Sequence, residues 1–198
     1  MEISRAEFVR SFADSRLMDG LELPQIAVVG KSNVGKSSLI NALTRHNKLA
    51  KVSSSPGKTR LINVFLINDI FHLVDLPGYG YAKVSKVEQA KWGPMTEGYL
   101  HGSKQLRHLL LLVDIRHPPT QLDRQMHAWL VHYKVPFTLV CTKADKLSRG
   151  KAAAQVKAIR EALGVAAGDC ISVSSETGAG RAELLQKIEN VLGLENGN

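Results

Sequence analysis

Cysteine, aromatic side chains and long apolar runs are all scarce in this chain of 198 residues, and each scarcity excludes something. The two cysteines, Cys141 and Cys170, lack metal-ligand spacing and lie in or beside apolar strand-like runs. Each therefore reads as a buried free thiol rather than part of a disulfide framework or a nucleophile. No apolar stretch approaches the roughly 20 residues of a bilayer-spanning helix. The opening MEISRAEFVRSFADSR is too polar for a secretory signal, so the cytoplasm is the expected location. Acidic residues are the minority charge, 18 against 26 basic ones, leaving a formal net charge of +8. Such an excess suits an RNA, ribosome or anionic-membrane partner, or simply a soluble basic surface, and the count alone leaves these open.

What is present is an alternation of strands and helices. Residues 26–29 form a short apolar run ending at Gly30, the pattern of a buried parallel strand. A helix is expected from Lys36 to about Leu43. Residues 46–60 are polar, with Ser53, Ser54, Ser55, Pro56 and Gly57 in succession, and read as a long loop. The runs 61–67 and 70–74, joined by Asn68-Asp69, predict a hairpin, and hence one antiparallel edge strand on a mostly parallel sheet. Residues 77–104 read as irregular, with Pro94 limiting any helix. Further strands are expected at 109–113, 137–141 and 171–173. Three helical stripes follow: Leu122, Met126, Trp129 and Tyr133; then Ala152, Val156, Ile159 and Leu163, ended by Gly164; then Leu184, Leu185, Ile188 and Val191. Their Met and aromatic members read as core. The expected organisation is an N-terminal extension over residues 1–23 packed on one domain over 24–198, a three-layer α/β sandwich. Ligands of such sheets bind beyond the carboxyl ends of the strands.

The motifs fall at those ends. Gly30-Lys31-Ser32-Asn33-Val34-Gly35-Lys36-Ser37 matches G-x-x-x-x-G-K-[ST], between a strand and a helix. Its glycines let the backbone wrap phosphate, with N–H groups turned toward the anion at a helix N-terminus. Lys36 is expected on the β- and γ-phosphates and Ser37 on Mg²⁺. Asp75-Leu76-Pro77-Gly78 has the D-x-x-G form at a strand end. It places Asp75 in the Mg²⁺ shell, through water, and offers the Gly78 N–H to a γ-phosphate.

Thr142-Lys143-Ala144-Asp145 selects the base. A carboxylate at Asp145 can accept from both N1–H and the exocyclic amine of guanine, whereas adenine would strand it without a donor. Lys143 would lay its stem beside the base plane. Thr142 stands where many such sites carry Asn and so lacks an amide fork. Ser174-Ser175-Glu176 follows the last strand and can present N–H groups to the guanine oxygen. Within Gly57-Lys58-Thr59-Arg60-Leu61, Thr59 is the candidate for a second Mg²⁺ hydroxyl ligand, in the long loop where a γ-phosphate-sensing switch belongs.

In order, GKSNVGKS, Thr59, DLPG, TKAD and SSE are the five GTPase motifs, and over residues 24–193 the chain resembles the EngB (YihA/YsxC) family of the TrmE–Era–EngA–EngB group. The family-like marks are SNVGKSSLIN, SSSPGKTR, VDLPGYGYAKV and the CTKAD–SS pair. The resemblance implies a P-loop NTPase fold of the Ras-like G-domain type and GTP and GDP as ligands. It also implies a role in assembly of the large ribosomal subunit, with a link to cell division and septation.

Hydrolysis at such a site needs positioning and charge stabilisation, not covalent chemistry. The residue after Gly78 is Tyr79, where many GTPases place a water-orienting Gln, and no arginine finger is evident in cis, so slow turnover is expected. With Lys36 and Thr59, Asn33 completes the candidate catalytic set: in relatives an Asn here helps hold K⁺ against the phosphates, and the alternative is a turn-forming residue. Basic residues Lys48, Lys51, Lys58 and Arg60, and then Lys83, Lys86 and Lys91, gather in the two sensing loops. Tyr79, Tyr81 and Trp92 lie among the second set as candidate stacking surfaces for ribosomal RNA of the large subunit. A monomer is expected. The competing readings are a GTP- or GDP-responsive binding module with negligible hydrolysis, and a P-loop small-molecule kinase.

Overall fold

A strand that is apolar on both faces can only lie in the middle of a covered sheet, and β2 (Gln25–Gly30) is buried at all six of its residues. The computed structural model describes residues 1–18, 20–50, 61–80 and 94–194. The other strands are β1 (Ala6–Phe12), β3 (Ile62–Ile67), β4 (Phe71–Asp75), β5 (Leu106–Asp114), β6 (Phe137–Thr142) and β7 (Cys170–Ser172). They form one sheet in the order β1-β3-β4-β2-β5-β6-β7. β2 runs parallel to both β4 and β5, and β6 and β7 continue the parallel array.

The helices are α1 (Lys36–Thr44), α2 (Pro94–Gly102), α3 (Gln121–His132), α4 (Arg149–Leu163) and α5 (Arg181–Leu192). The pleat of the strands sorts them into two layers. Ile26 and Val28 of β2, with Leu110 and Leu112 of β5, pack with Leu39, Ile40 and Leu43 of α1 and Leu184, Leu185 and Ile188 of α5. The alternate residues Ala27, Val29, Leu109, Leu111 and Val113 pack with Tyr99 of α2, Met126 and Leu130 of α3, and Ile159 of α4. The helical stripes thus do face the core, except at the end of one: Tyr133 is 46% exposed and forms a surface ring cluster with Trp129 and His101.

Two features differ from the sequence expectation. The antiparallel strand is β3, but it is not outermost, because β1 pairs antiparallel with it and takes the edge. Asn68 explains how that segment is held: its Oδ1 accepts from the Ser4 and Arg5 backbone N–H groups, and its own N–H donates to Arg5 O at 2.9 Å. Asn68 and Asp69 both have positive φ, 51° and 58°, the geometry of a two-residue hairpin turn. Part of the stretch expected to be irregular is helical. Pro94 starts α2 instead of limiting it, since a first-turn residue has no intrahelical N–H bond to lose. The thiols of Cys141 and Cys170 are free and 3.9 Å apart across β6 and β7, Cys141 fully buried and Cys170 partly so.

The end of the sheet opposite the motifs is closed by buried polar pairs. Tyr99 Oη and Ser103 Oγ donate to Gln25 Oε1 at 2.8 and 3.0 Å. His108 lies 2.8 Å from Thr138 Oγ1, and burial, with Lys187 nearby, pushes its imidazole down from 6.5 to about 4. The folded chain therefore holds His108 neutral in a range where the unfolded chain takes up a proton. That contribution is present above the unfolded value and is lost as pH falls from about 6.5 to about 4. Its full extent is on the order of 3 kcal/mol. In urea unfolding at pH 7 and pH 4.5, His108→Gln is expected to show a markedly smaller loss of stability on acidification than the parent chain. Equal losses would place the acid sensitivity elsewhere.

Candidate functional site

The turn from β2 into α1 is a short path that needs unusual backbone angles. Asn33 has φ +64° and Gly35 φ +108°, the second well outside what a side chain tolerates. The carbonyls of this turn are directed outward and take donors. Asn33 O accepts from Lys143 Nζ at 2.9 Å, Val34 O from Thr142 Oγ1 at 2.7 Å, and Gly35 O from Leu39 N at 2.9 Å. A turn whose carbonyls point out is the arrangement that leaves N–H groups for an anion. The Asn33 side chain is exposed and its φ is that of a turn-forming asparagine.

β4 runs beside β2 with Asp75 level with Val28, so the D-x-x-G segment emerges next to this turn. Gly78 packs so closely that an added Cβ would lie 3.3 Å from Gly30 O and from Ser32 N. Asp75 is 7% exposed and its Oδ1 lies 2.9 Å from Lys36 Nζ. Its Oδ2 is 3.5 Å from Asn63 Nδ2, directly across the β3–β4 ladder. Ser37 stands in the first turn of α1, next to Lys36. A buried carboxylate and a hydroxyl are hard oxygen ligands of the kind Mg²⁺ takes, usually with phosphate and water completing the shell. Among the described residues there is no cluster of three or more His, Cys, Asp or Glu that could hold a metal ion. Gly57, Lys58, Thr59 and Arg60 lie outside the described residues; Leu61, just before β3, is half-buried.

The segment expected to select the base, residues 142–145, begins at the last residue of β6. Thr142 is 3% exposed and its hydroxyl is shared between Val34 O and Val113 O at 2.7 and 3.1 Å. The departure from Asn is thus explained locally, because Thr supplies the hydroxyl that fastens this loop to the β2–α1 turn. Lys143 adopts φ +62° and its ammonium lies 3.0 Å from Asp114 Oδ2. Asp145 is aimed by Ser174, whose Oγ donates to Oδ1 at 2.7 Å, while Lys146 Nζ lies 2.8 Å from Oδ2. Those two contacts, Lys146 first, hold its carboxyl below the usual carboxylate range. The Ser174 N–H, expected to face the base, instead donates to Ala179 O at 3.0 Å. Ser174 therefore orients the Asp145 carboxylate through its hydroxyl.

Three residues of this end were not singled out in the sequence. Asp114 closes β5 and takes both Lys143 and Arg116, the latter through two side-chain bonds at 2.9 and 2.7 Å. Burial alone would raise its pKa, but these hydrogen bonds hold it far below the ordinary range. Asn63 reaches Asp75, and Asp123 accepts from Tyr79 Oη at 2.7 Å. A carboxylate ending an apolar strand was the available signal for Asp114; the other two depend on long-range pairing. Tyr79 is 2% exposed, so it is not a stacking surface for RNA; Lys51, Tyr81, Lys83, Lys86, Lys91 and Trp92 lie outside the described residues. Removing the Asp114 carboxylate takes the ion-pair partner from the half-buried Lys143 and the exposed Arg116. Asp114→Ala is expected to lower the stability of nucleotide-free protein by about 1–3 kcal/mol in chemical denaturation. A change within about 0.5 kcal/mol would mean that solvent already screens these pairs.

Residues 25–143, from β2 through Lys143, match the 50S ribosome-binding GTPase family. The probable GTP-binding protein EngB of Pelotomaculum thermopropionicum is 49% identical over 195 residues, 98% of each chain. That of Bacillus cytotoxicus is 46% identical, covering 99% of this chain and 100% of its own. In structure, a crystal structure of a probable GTP-binding protein EngB superposes with a TM-score of 0.70, at 23% identity over 86% of this chain and 100% of that one, a likeness of fold. With near full-length identity at this level, and every described motif at one end of one sheet, the chain belongs to the EngB family of GTPases.

Proposed function

We propose that this GTPase is a slow GTP-driven switch in assembly of the large ribosomal subunit, and that its nucleotide cycle gates association with the subunit or its ribosomal RNA. It acts in the cytoplasm as a monomer, and family resemblance links it to cell division and septation. The observation that carries the nucleotide part is the convergence of three loops. The outward-turned carbonyls of residues 33–35, the Asp75–Lys36 pair and the Ser174-aimed Asp145 share one end of the sheet.

In this reading the N–H groups of Asn33, Gly35, Lys36 and Ser37 cradle the phosphates and Lys36 moves from Asp75 to the β- and γ-oxygens. Ser37, with Thr59 in the switch segment 57–61, would hold Mg²⁺, and Asp75 would stand in its outer shell. When bound, Mg²⁺ neutralises the charge that develops on the phosphoryl oxygens. Gly78, at the end of residues 75–78, senses the γ-phosphate. Asp145 reads the guanine edge, Lys143 flanks the base, and the turn 174–176 faces its carbonyl oxygen. Asn33 holds K⁺, a role that exchange of K⁺ for Na⁺ tests through the turnover rate. Slow turnover is supported by Tyr79, whose hydroxyl is buried on Asp123 and so does not orient a water.

Asp145→Asn is expected to weaken GTP binding at least about tenfold and to improve xanthosine triphosphate, since an amide suits the xanthine edge better. Fluorescent-nucleotide competition reads both, and an unaltered preference would remove Asp145 from base recognition. For the partner, co-sedimentation with large subunits is expected to be strong with a non-hydrolysable GTP analogue and weak with GDP. It should fall steeply between 50 and about 200 mM salt as counterions are regained by the RNA. Sedimentation indifferent to both nucleotide and salt would disprove the gating.

A further inference from the structure

Tyr79 follows Gly78 directly, yet it is among the best-held residues at this end of the sheet. Its backbone forms a parallel bridge with Lys31: Tyr79 N donates to Gly30 O at 3.2 Å, and Ser32 N donates to Tyr79 O at 2.7 Å. Its ring is buried, and its hydroxyl donates to Asp123 Oδ1 at 2.7 Å. Burial, with the adjacent Asp123 charge, raises the phenol well above 10, so it remains a neutral donor throughout the physiological range.

Asp123 is 5% exposed and divides its two oxygens between two tasks. Oδ2 accepts from Thr120 N at 2.8 Å and from Thr120 Oγ1 at 2.7 Å, while the Asp123 N–H donates to Thr120 Oγ1 at 3.3 Å, a reciprocal cap on α3. Oδ1 is left for Tyr79. A second contact joins the same elements, since the space beside Gly80 is filled by Leu122 of α3, whose Cδ1 would lie 3.0 Å from an added Cβ. The segment 78–80 is therefore clamped between the β2–α1 turn on one side and the first turn of α3 on the other.

We propose that Asp123 is a positioning residue for the GTP-bound state. Through Tyr79 it fixes the height of Gly78 over the phosphate turn, and it couples occupancy of the γ-phosphate position to the N-terminus of α3. This rests on the reading of Gly78 as the γ-phosphate sensor. GDP has no group that reaches Gly78, so the coupling acts on GTP and not on GDP. Because Tyr79 is bonded to the turn by its backbone and to Asp123 by its side chain, Gly78 cannot rise or sink without straining one of them. A buried hydroxyl-to-carboxylate bond is among the stronger single hydrogen bonds available for such a link.

The test compares the full chain with Tyr79→Phe, which removes only the hydroxyl, and Asp123→Ala, which removes link and cap together. The third variant is Thr120→Ala, which weakens the cap and leaves the link. Melting temperature, GDP affinity, affinity for a non-hydrolysable GTP analogue and single-turnover hydrolysis are measured for each. Tyr79→Phe is expected to keep GDP affinity within about twofold while losing about tenfold in analogue affinity or in single-turnover rate. Asp123→Ala should lose no less on GTP, and the double variant Tyr79→Phe/Asp123→Ala no more than Asp123→Ala alone, because one bond is shared. Thr120→Ala should lower the melting temperature and preserve the ratio of analogue to GDP affinity. A parental ratio and rate in Tyr79→Phe overturns the proposal, as does a Thr120→Ala variant that reproduces the GTP defect, since the cap would then be the cause. A parent chain that binds GDP and the analogue equally and shows no turnover would overturn the sensor reading itself, independently of how the variants behave.

Discussion

The site depends on one constraint: the carbonyls of the β2–α1 turn must face away from the anion and still be hydrogen-bonded. A buried carbonyl without a donor costs about as much as a lost hydrogen bond. The turn cannot supply all the donors itself. Lys31 O takes Val34 N and Gly35 O takes Leu39 N, but Gly30 O takes Tyr79 N, Asn33 O takes Lys143 Nζ and Val34 O takes Thr142 Oγ1. The donors thus come from the segments after β4 and β6. The same contacts that finish the phosphate turn also fix where the D-x-x-G and base-selecting segments stand. The three motifs are separate in sequence and a single hydrogen-bonded unit in space.

A second regularity is electrostatic. Three carboxylates at strand ends or just beyond them, Asp75, Asp114 and Asp145, each lie within 3.0 Å of a lysine: Lys36, Lys143 and Lys146 respectively. A carboxylate taken out of water needs a counter-charge, and a pair at this depth gives little net stability for its desolvation. The pairing is better explained by use. Lys36 and Asp75 are the two groups that, on the proposed reading, part company when nucleotide and Mg²⁺ arrive, each exchanging one opposite charge for another. Asp114 differs, since its Arg116 and Lys143 bonds hold the base-selecting loop in a conformation that includes a left-handed Lys143.

How much of this was legible follows from what each residue answers to. β2 and β5 were readable because burial on both faces forces continuous apolar runs, and the Asn68-Asp69 turn because positive φ selects those residues. β1 was not, since its burial pattern is mostly exposed and its partner β3 lies some 50 residues away, where local alternation carries no information. The same holds for α2, where proline was read as a limit and stands at a start. Motif residues were legible because spacing within one turn is a sequence property. Asn63, Asp114 and Asp123 answer instead to neighbours across the sheet or on another helix, and only the assembled layers bring those neighbours in. Tyr79 shows the difference at one position: its place after Gly78 indicated what it cannot do, and its burial against Asp123 indicates what it does.

Left-handed backbone occurs at both ends of the sheet, and at the motif end it lies within the phosphate-binding turn. At the far end Arg45, Asn68, Asp69 and Lys134 have positive φ in connecting turns, while Gln25 is held by Tyr99 and Ser103 and a neutral His108 lies on Thr138. At the motif end Asn33, Gly35, Gly80 and Lys143 all have positive φ. Left-handed non-glycine residues cost on the order of 1 kcal/mol or more each, and they persist only where surrounding structure over-determines them. Here the surrounding structure is the doubly covered sheet, whose buried strands β2 and β6 run directly into the turns that carry Asn33 and Lys143. Strain of this kind is tolerable because the layers below lose nothing by it, and it is useful because a ligand that satisfies the turns relieves no packing elsewhere. Binding energy is then concentrated on the few groups at the strand ends, where a γ-phosphate present or absent makes the largest difference.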